Sequence, residues 1–286
     1  MKSDWHTHNS LCRHAQGKIE DYVEKALDYD LGLLGCSDHF SYDYLLNNVP
    51  NFDDIPYQEY SMRASEINGY VNKVLELKER YHDKIQIKLG FEVDFFENQE
   101  KNTMQALKTY IDNIDYIYGS VHVLRTENGL FAFDDSRFLK KYNQFDNIDE
   151  IYVKYYNTLQ KMITSSIFAC DIVSHFDLPK KFNKAFQDHG LIMEKVSQTL
   201  ELIKKKKLVI EINSSGFRKE INEQYPSEEI IKLMYELDIP VLLGSDAHQP
   251  EELAYKFKSI IKLLKTFGYD YLTYFDKRKK SFIEMD

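Results

Sequence analysis

Cysteine, long apolar runs and surplus positive charge are all scarce in this sequence, and each scarcity removes a class of protein. Three cysteines, Cys12, Cys36 and Cys170, are too few and too widely spaced for a disulfide framework or a cysteine-rich zinc site. No apolar run approaches the roughly 20 residues that cross a bilayer, and residues 1–6 hold no apolar core of a secretory leader. Lys and Arg number 37 against 46 Asp and Glu, a formal charge of −9. A nucleic-acid backbone or an anionic membrane rewards the opposite balance, so neither is an expected partner. An anionic small substrate stays open, because divalent cations reverse the potential inside a single pocket. No glycine-rich nucleotide loop and no serine or cysteine nucleophile motif occurs. The expectation is a soluble protein of a reducing cytoplasm. The outward helix faces are ordinarily polar and leave the oligomeric state unknown.

What the chain has in quantity is aromatic bulk, 21 Tyr and 18 Phe, within a hydrophobic share of 43% that suits a sizeable core. Short apolar runs alternate with stretches of helical spacing. The runs lie at residues 3–6, 31–37, 85–91, 116–121, 168–174, 208–212 and 239–243. Helices are expected at 18–29, 62–81, 99–112, 148–165, 191–206, 227–237 and 251–267. Residues 40–61 and 125–135 read as polar loops, and 271–285 as a terminal strand and tail. Seven strand-then-helix units without a break in composition predict one α/β domain over residues 1–286. Its sheet is parallel and at this length closes into a barrel. Such a barrel places functional groups just past the carboxyl ends of its strands.

The histidines obey that rule. His6 and His8 share one side of an extended segment, because side chains in a strand repeat every two residues. By itself a His-x-His pair is a weak sign of metal. Here His14, His39, His122, His175 and His248 follow the same or other strands, so seven of nine histidines gather at strand ends. His82 and His189 fall elsewhere and read as surface residues. Glu92 and Asp246 add carboxylates. Burying so many ionisable groups without a cation is costly, and imidazole-rich sets suit zinc, manganese or iron(II) rather than magnesium or calcium. Nine ligands exceed the needs of one or two ions, so three are expected.

The order His-x-His, Asp-His, a solitary Glu, two separated His and a final Asp-x-His resembles the polymerase and histidinol phosphatase (PHP) superfamily of metallophosphoesterases. The likeness spans essentially the whole chain. Cys12-Arg13-His14, Gly90-Phe91-Glu92-Val93-Asp94, Gly119-Ser120-Val121-His122 and Ser174-His175-Phe176-Asp177 are similar to its histidinol-phosphate phosphatase branch.

The resemblance implies an irregular, TIM-like (β/α)7 barrel with its active site at the C-terminal strand ends. It implies a trinuclear site: His6, His8, Glu92 and Asp246 for the first ion, Glu92, His122 and His175 for the second, His14, His39 and His248 for the third. It also implies hydrolysis of L-histidinol phosphate, a step of histidine biosynthesis, by a metal-bridging hydroxide. Asp246, His39 or a water on the third ion would protonate the leaving alkoxide. Arg218 is the first candidate to clamp phosphate, because a guanidinium binds two oxygens at once. Lys180 and Lys181 are second choices, with Arg125 and Arg63 weaker. Asp38 and Asp4 adjoin ligand motifs and are candidates to orient imidazoles. The Tyr-rich stretch 42–60, with Asp53, Asp54 and Glu59, is a candidate lid over the cationic end of the substrate. Two other readings stay open: a PHP-type phosphatase for another small phosphate monoester, a nucleotide or phosphotyrosine, and a non-catalytic metal-binding module.

Overall fold

The structure is a computed structural model and describes residues 2–46 and 49–285. In chain order the elements are β1 (Ser3–Asp4), α1 (Ile19–Asp28), β2 (Leu33–Cys36), α2 (Ile67–Arg80), β3 (Gln86–Asp94), α3 (Glu100–Leu107) and β4 (Tyr116–Ser120). There follow β5 (Val123–Thr126), β6 (Gly129–Ala132), α4 (Asp149–Thr164), β7 (Ile172–Val173), α5 (His189–Lys206), β8 (Val209–Asn213), α6 (Glu228–Glu236), β9 (Val241–Gly244) and α7 (Phe257–Phe267). The last two are β10 (Tyr271–Asp276) and β11 (Lys279–Glu284). Seven strands form one parallel sheet in the order β1-β2-β3-β4-β7-β8-β9. Its two edges meet: the Trp5 amide donates to Leu243 O at 3.1 Å, and Thr7 bridges Ala247. The result is the irregular (β/α)7 barrel, with helices packed outside. No helix among the described residues is long and apolar enough to cross a membrane.

Local sequence explains these elements. Strands covered on both faces read as apolar runs, and every residue of β2, β4, β8 and β9 is buried. Helix α1 turns Ile19, Tyr22, Val23 and Ala26 inward, the spacing of one helical face. Helix α5 starts where the Asp188 side chain accepts from the Leu191 amide, and α7 stops at Gly268, whose φ of 105° is the left-handed value glycine tolerates.

Four expectations need correction. The run at 168–174 yields a strand of only two residues, because Phe168 and Cys170 pack outside the ladder in the core. The loop at 125–135 contains the antiparallel hairpin β5–β6, turned at Glu127-Asn128, with Gly129 opening β6 at φ 100°. The last helix begins at Phe257, after a separate 3-10 turn at Pro250–Glu252. Glu92 lies within β3, which runs on to Asp94, instead of after it.

The terminal stretch is a second antiparallel hairpin, β10–β11, and it plugs the barrel end opposite the histidines. Phe275 joins Trp5, Leu33, Tyr116, Tyr118, Ile172, Val209 and Leu242 in an apolar cluster of their own. Arg278 clamps the Asp171 carboxylate at 2.9 and 3.0 Å, and Lys88 meets Asp276 at 2.6 Å. Phe275→Ala is expected to cost about 3–5 kcal/mol, the usual price of emptying a buried aromatic site. Urea unfolding checks this; a loss below about 1 kcal/mol would mean that the hairpin only rests on the barrel.

Candidate metal centre

Residues 5–8 leave β1 extended, so His6 and His8 turn the same way, their ring centroids 4.9 Å apart. His6 Nε2 stands 3.3 Å from Glu92 Oε2 and 3.9 Å from Asp246 Oδ1. His8 Nε2 stands 3.5 and 3.1 Å from the same two oxygens. The other oxygen of Glu92, Oε1, is 3.0 Å from His175 Nε2 and 3.6 Å from His122 Nε2, and those two nitrogens are 3.0 Å apart. Glu92 thus divides two groups of ligand atoms, one on each carboxylate oxygen. His39 Nδ1 joins the first at 3.2 Å from Oε2.

These separations are those of ligands around shared ions. Two donors each about 2.1 Å from a tetrahedral zinc lie about 3.4 Å from one another. The orphaned atoms agree: His6 Nε2, His8 Nε2 and His39 Nδ1 are buried with no hydrogen-bond partner, although each faces Glu92. Buried polar atoms are rarely left so unless a ligand completes them. Groups able to hold an ion are His6, His8 and Glu92; Glu92, His122 and His175; and His8, His39 and His248. Further groups join His39 and His122 to Asp94, and His8 to Cys12 and Asp38.

Of the nine expected ligands, seven stand in these groups; Asp246 lies beside them, 3.1 Å from His8 Nε2, and His14 is in none of them. His14 differs in its approach. Its Nδ1 donates to the carbonyls of Cys12 and Glu59, each at 2.9 Å, and its ring lies 4.9 Å from His248 and 5.2 Å from His39. The group at His39 and His248 is completed by His8. Asp38 stands 3.3 Å from His8 Nδ1 and accepts from the His39 amide at 2.9 Å. Asp4 touches no imidazole ring. It accepts from the amides of Ser245 and Ala254 at 2.9 Å and of His6 at 3.4 Å, tying the first strand exit to the last.

The candidate phosphate groups separate. Arg218 Nη2 donates to the carbonyls of Ser245 and Asp246 at 2.9 and 3.0 Å, Nε faces Glu252 at 3.3 Å, and Nη1 is buried without a partner. Lys181 pairs with Asp134 at 3.0 Å. Lys180 is a correction. Its ammonium meets Gln224 O at 2.8 Å, Asp177 at 2.9 Å and Glu223 at 3.2 Å, so its three donors are taken. Arg63 faces Asp43 at 3.5 Å, and Arg125 is an exposed residue of the β5–β6 hairpin.

In the Tyr-rich stretch, Asn47 and Asn48 lie outside the described residues. The remainder forms 3-10 turns around a small core of Tyr42, Leu45, Val49, Phe52 and Ile55 with Phe96 and the β5–β6 hairpin. Asp54 is used by the Leu130 amide and Glu59 by Arg137. Outside the cluster, His189 pairs with Glu229 on the surface at the start of α5, and His82 is exposed.

Sequence reading missed three groups. Asp94 accepts from His122 Nδ1 at 2.8 Å; it stands two residues after Glu92 on one strand, so the strand period pointed to it. Glu211 lies 2.6 Å from His6 Nδ1. A carboxylate inside an otherwise apolar strand was its signal. Lys219 sits among Lys181, Asp246 and Arg218, and partial desolvation with the two neighbouring cations pushes its amine below the usual lysine range. Nothing in its local sequence marked it.

Charge is sorted within the cluster. Burial alone would raise Glu92, but the imidazoles of His39, His6 and His122 hold it well below the usual carboxylate range. Burial is likewise outweighed at His8, which Asp246 and Asp38 push up to about 9, and at His122, which Asp94 and Glu92 push up to about 10. Burial depresses His39 and His248, which are surrounded by other imidazoles. Without an ion the site therefore holds protons where an ion's charge would go.

Known proteins share this chain's pattern. The PHP domain model matches residues 4–215. The probable histidinol-phosphatase of Deinococcus radiodurans is 30% identical over 265 residues, 93% of each chain. The histidinol-phosphatase of Bacillus subtilis is 26% identical over 273 residues, 92% of this chain and 99% of that one. A solved structure of a candidate histidinol phosphatase from Listeria monocytogenes superposes with a TM-score of 0.81 at 27% identity, covering 90% of this chain and 99% of its own. The histidinol phosphate phosphatase of Lactococcus lactis, solved with zinc, L-histidinol and phosphate, has a TM-score of 0.77 at 17% identity and covers 98% of both chains. At that identity it speaks for the fold.

Proposed function

Because the chain belongs to the PHP domain family, we propose that it is a metal-dependent phosphoric monoester hydrolase converting L-histidinol phosphate to L-histidinol and phosphate. The observation that carries this reading is Glu92, whose two oxygens each face a separate group of imidazole nitrogens at 3.0–3.6 Å. The names of relatives matched over most of their length support the substrate.

His6, His8, Glu92 and Asp246 would hold one ion, Glu92, His122 and His175 a second, and His14, His39 and His248 a third, with His8 Nε2 near the third as well. Zinc, manganese and iron(II) all suit that donor set. When bound, such ions supply Lewis acidity, acidify water and neutralise phosphate charge. The protein's own groups do the rest. Arg218 is fixed by two carbonyls and Glu252 with one donor nitrogen unused, which presents a preset N–H edge to a phosphate oxygen. Lys181 and Lys219 extend the positive side of the pocket. Asp246 has 16% of its side chain exposed against 1% for Glu92. It is the more open of the two carboxylates, and the neighbouring imidazoles of His6 and His8 hold it ionised despite its burial, so we assign it to orienting the water that protonates the departing alkoxide.

Steady-state kinetics test the substrate. kcat/KM for L-histidinol phosphate should exceed that for a generic aryl phosphate by at least about a hundredfold, as when a leaving group is specifically bound. Equal values would remove the substrate and leave the phosphatase.

A further inference from the structure

Glu211 binds no ion in this reading, yet it lies at the middle of β8, fully buried, against two of the proposed ligands. Its Oε1 is 2.6 Å from His6 Nδ1. Its Oε2 accepts from the His175 amide at 3.0 Å and from Asn213 Nδ2 at 2.9 Å. The last residue of β9 is Gly244, where a Cβ would stand 1.9 Å from Glu211 Oε1 and 2.7 Å from His6 Cβ. Bare backbone at that position is what lets the pair close.

We propose that Glu211 is a positioning residue: it selects the His6 tautomer competent for ion binding, and it fixes the backbone of His175 with its other oxygen. This rests on the metal-dependent reading above. A carboxylate only accepts hydrogen bonds, so a neutral His6 facing it carries its proton on Nδ1 and keeps the Nε2 lone pair. Nε2 is the orphaned atom turned toward Glu92 and Asp246. His175 enters at φ 20°, an uncommon backbone value held in place by the bond from its amide to Glu211. One side chain thereby sets a ligand of the first group and a ligand of the second.

The substitution Glu211→Gln separates the two duties. Two donors, the His175 amide and Asn213, converge on the Oε2 position, so the amide oxygen settles there and the NH2 group turns to His6 Nδ1. His6 must then accept on Nδ1 and carry its proton on Nε2, which blocks the nitrogen an ion needs. The backbone of His175 stays bonded.

Zinc titration of chelator-treated wild type and Glu211→Gln, followed by element analysis after dialysis, reads this out. The expected result is a tenfold to hundredfold weaker affinity for one ion per chain, the usual effect of losing an outer partner, with the others retained and the circular dichroism unchanged. A folded variant that binds zinc as wild type does overturns the assignment. A long-range 1H–15N spectrum of zinc-loaded wild type, with His6 identified by its absence from His6→Asn, decides even when Glu211→Gln does not fold. A proton on His6 Nδ1 supports the proposal, and a proton on Nε2 overturns it. Wild type that neither binds zinc nor releases phosphate removes the metal-dependent reading itself. Zinc binding and turnover in wild type, with an unaltered variant, remove only the role of Glu211.

Discussion

Glu92→Gln is expected to lower turnover of L-histidinol phosphate by at least about a thousandfold and to reduce bound metal. Glu92 is 1% exposed, accepts from Ser120 Oγ at 2.6 Å, and presents one oxygen to His122 and His175 and the other to His6, His8 and His39. An amide keeps a single accepting oxygen and turns N–H donors toward imidazoles on the other side. It also loses the charge that offsets two cations. A metal's effect on a phosphoryl-transfer barrier is several kcal/mol, and each 1.4 kcal/mol is tenfold in rate, which gives the magnitude. Phosphate release and element analysis check both halves. His189→Ala, on the surface beside Glu229, should change neither. Undiminished phosphate release from Glu92→Gln would refute the site.

The second large effect is the dependence of metal binding on pH. Chelation is expected to abolish turnover and zinc to restore it, with protons released on rebinding. His8 and His122 are pushed up to about 9 and about 10 in the metal-free protein, so both carry protons at neutral pH that an ion must displace. Apparent zinc affinity should therefore rise about tenfold per pH unit for each displaced proton between roughly pH 7 and 9. Calorimetry in two buffers of different ionisation enthalpy measures the release; an affinity independent of pH would contradict it.

Stability of the metal-free protein follows with a definite sign. His8 and His122 hold protons more tightly folded than unfolded, so their stabilisation is complete below the ordinary value of 6.5 and is lost as pH rises through about 9 and 10. His39 and His248, shifted downward, act oppositely: their contribution exists above 6.5 and is lost as pH falls. Metal-free protein should consequently melt at lower temperature at pH 10 than at pH 7.

The ligands were legible because chemistry and geometry coincide in a parallel barrel. Strands buried on both faces are written as apolar runs, so a histidine that ends such a run, as His122 or His175 does, stands out at once. The second layer was harder, for the reverse reason. Asp94 and Glu211 lie within strands, where a sequence shows only a polar residue interrupting an apolar run. Whether such a residue holds an imidazole or a backbone amide depends on which strand lies across from it. Asp4 shows the same limit: beside a ligand motif in sequence, it is bonded to the amides of Ser245 and Ala254, contributed by the other end of the chain. Lys180 could not be told from a phosphate ligand until Asp177 and Glu223 were seen to enclose it. Both hairpins escaped because residues 123–132 and 271–284 are half polar. The Asn128-Gly129 dipeptide was nevertheless a readable sign of the first.

The closure of β9 on the first strand has a consequence for timing during synthesis. His6 and His8 are translated some 240 residues before Asp246 and His248, which follow every strand of the barrel. A ribosome-bound chain that has not yet exposed residue 248 carries the histidine pair without Asp246 and without the edge that seals the barrel. With the ligand set proposed above, loading of the first ion is therefore an event of the finished fold.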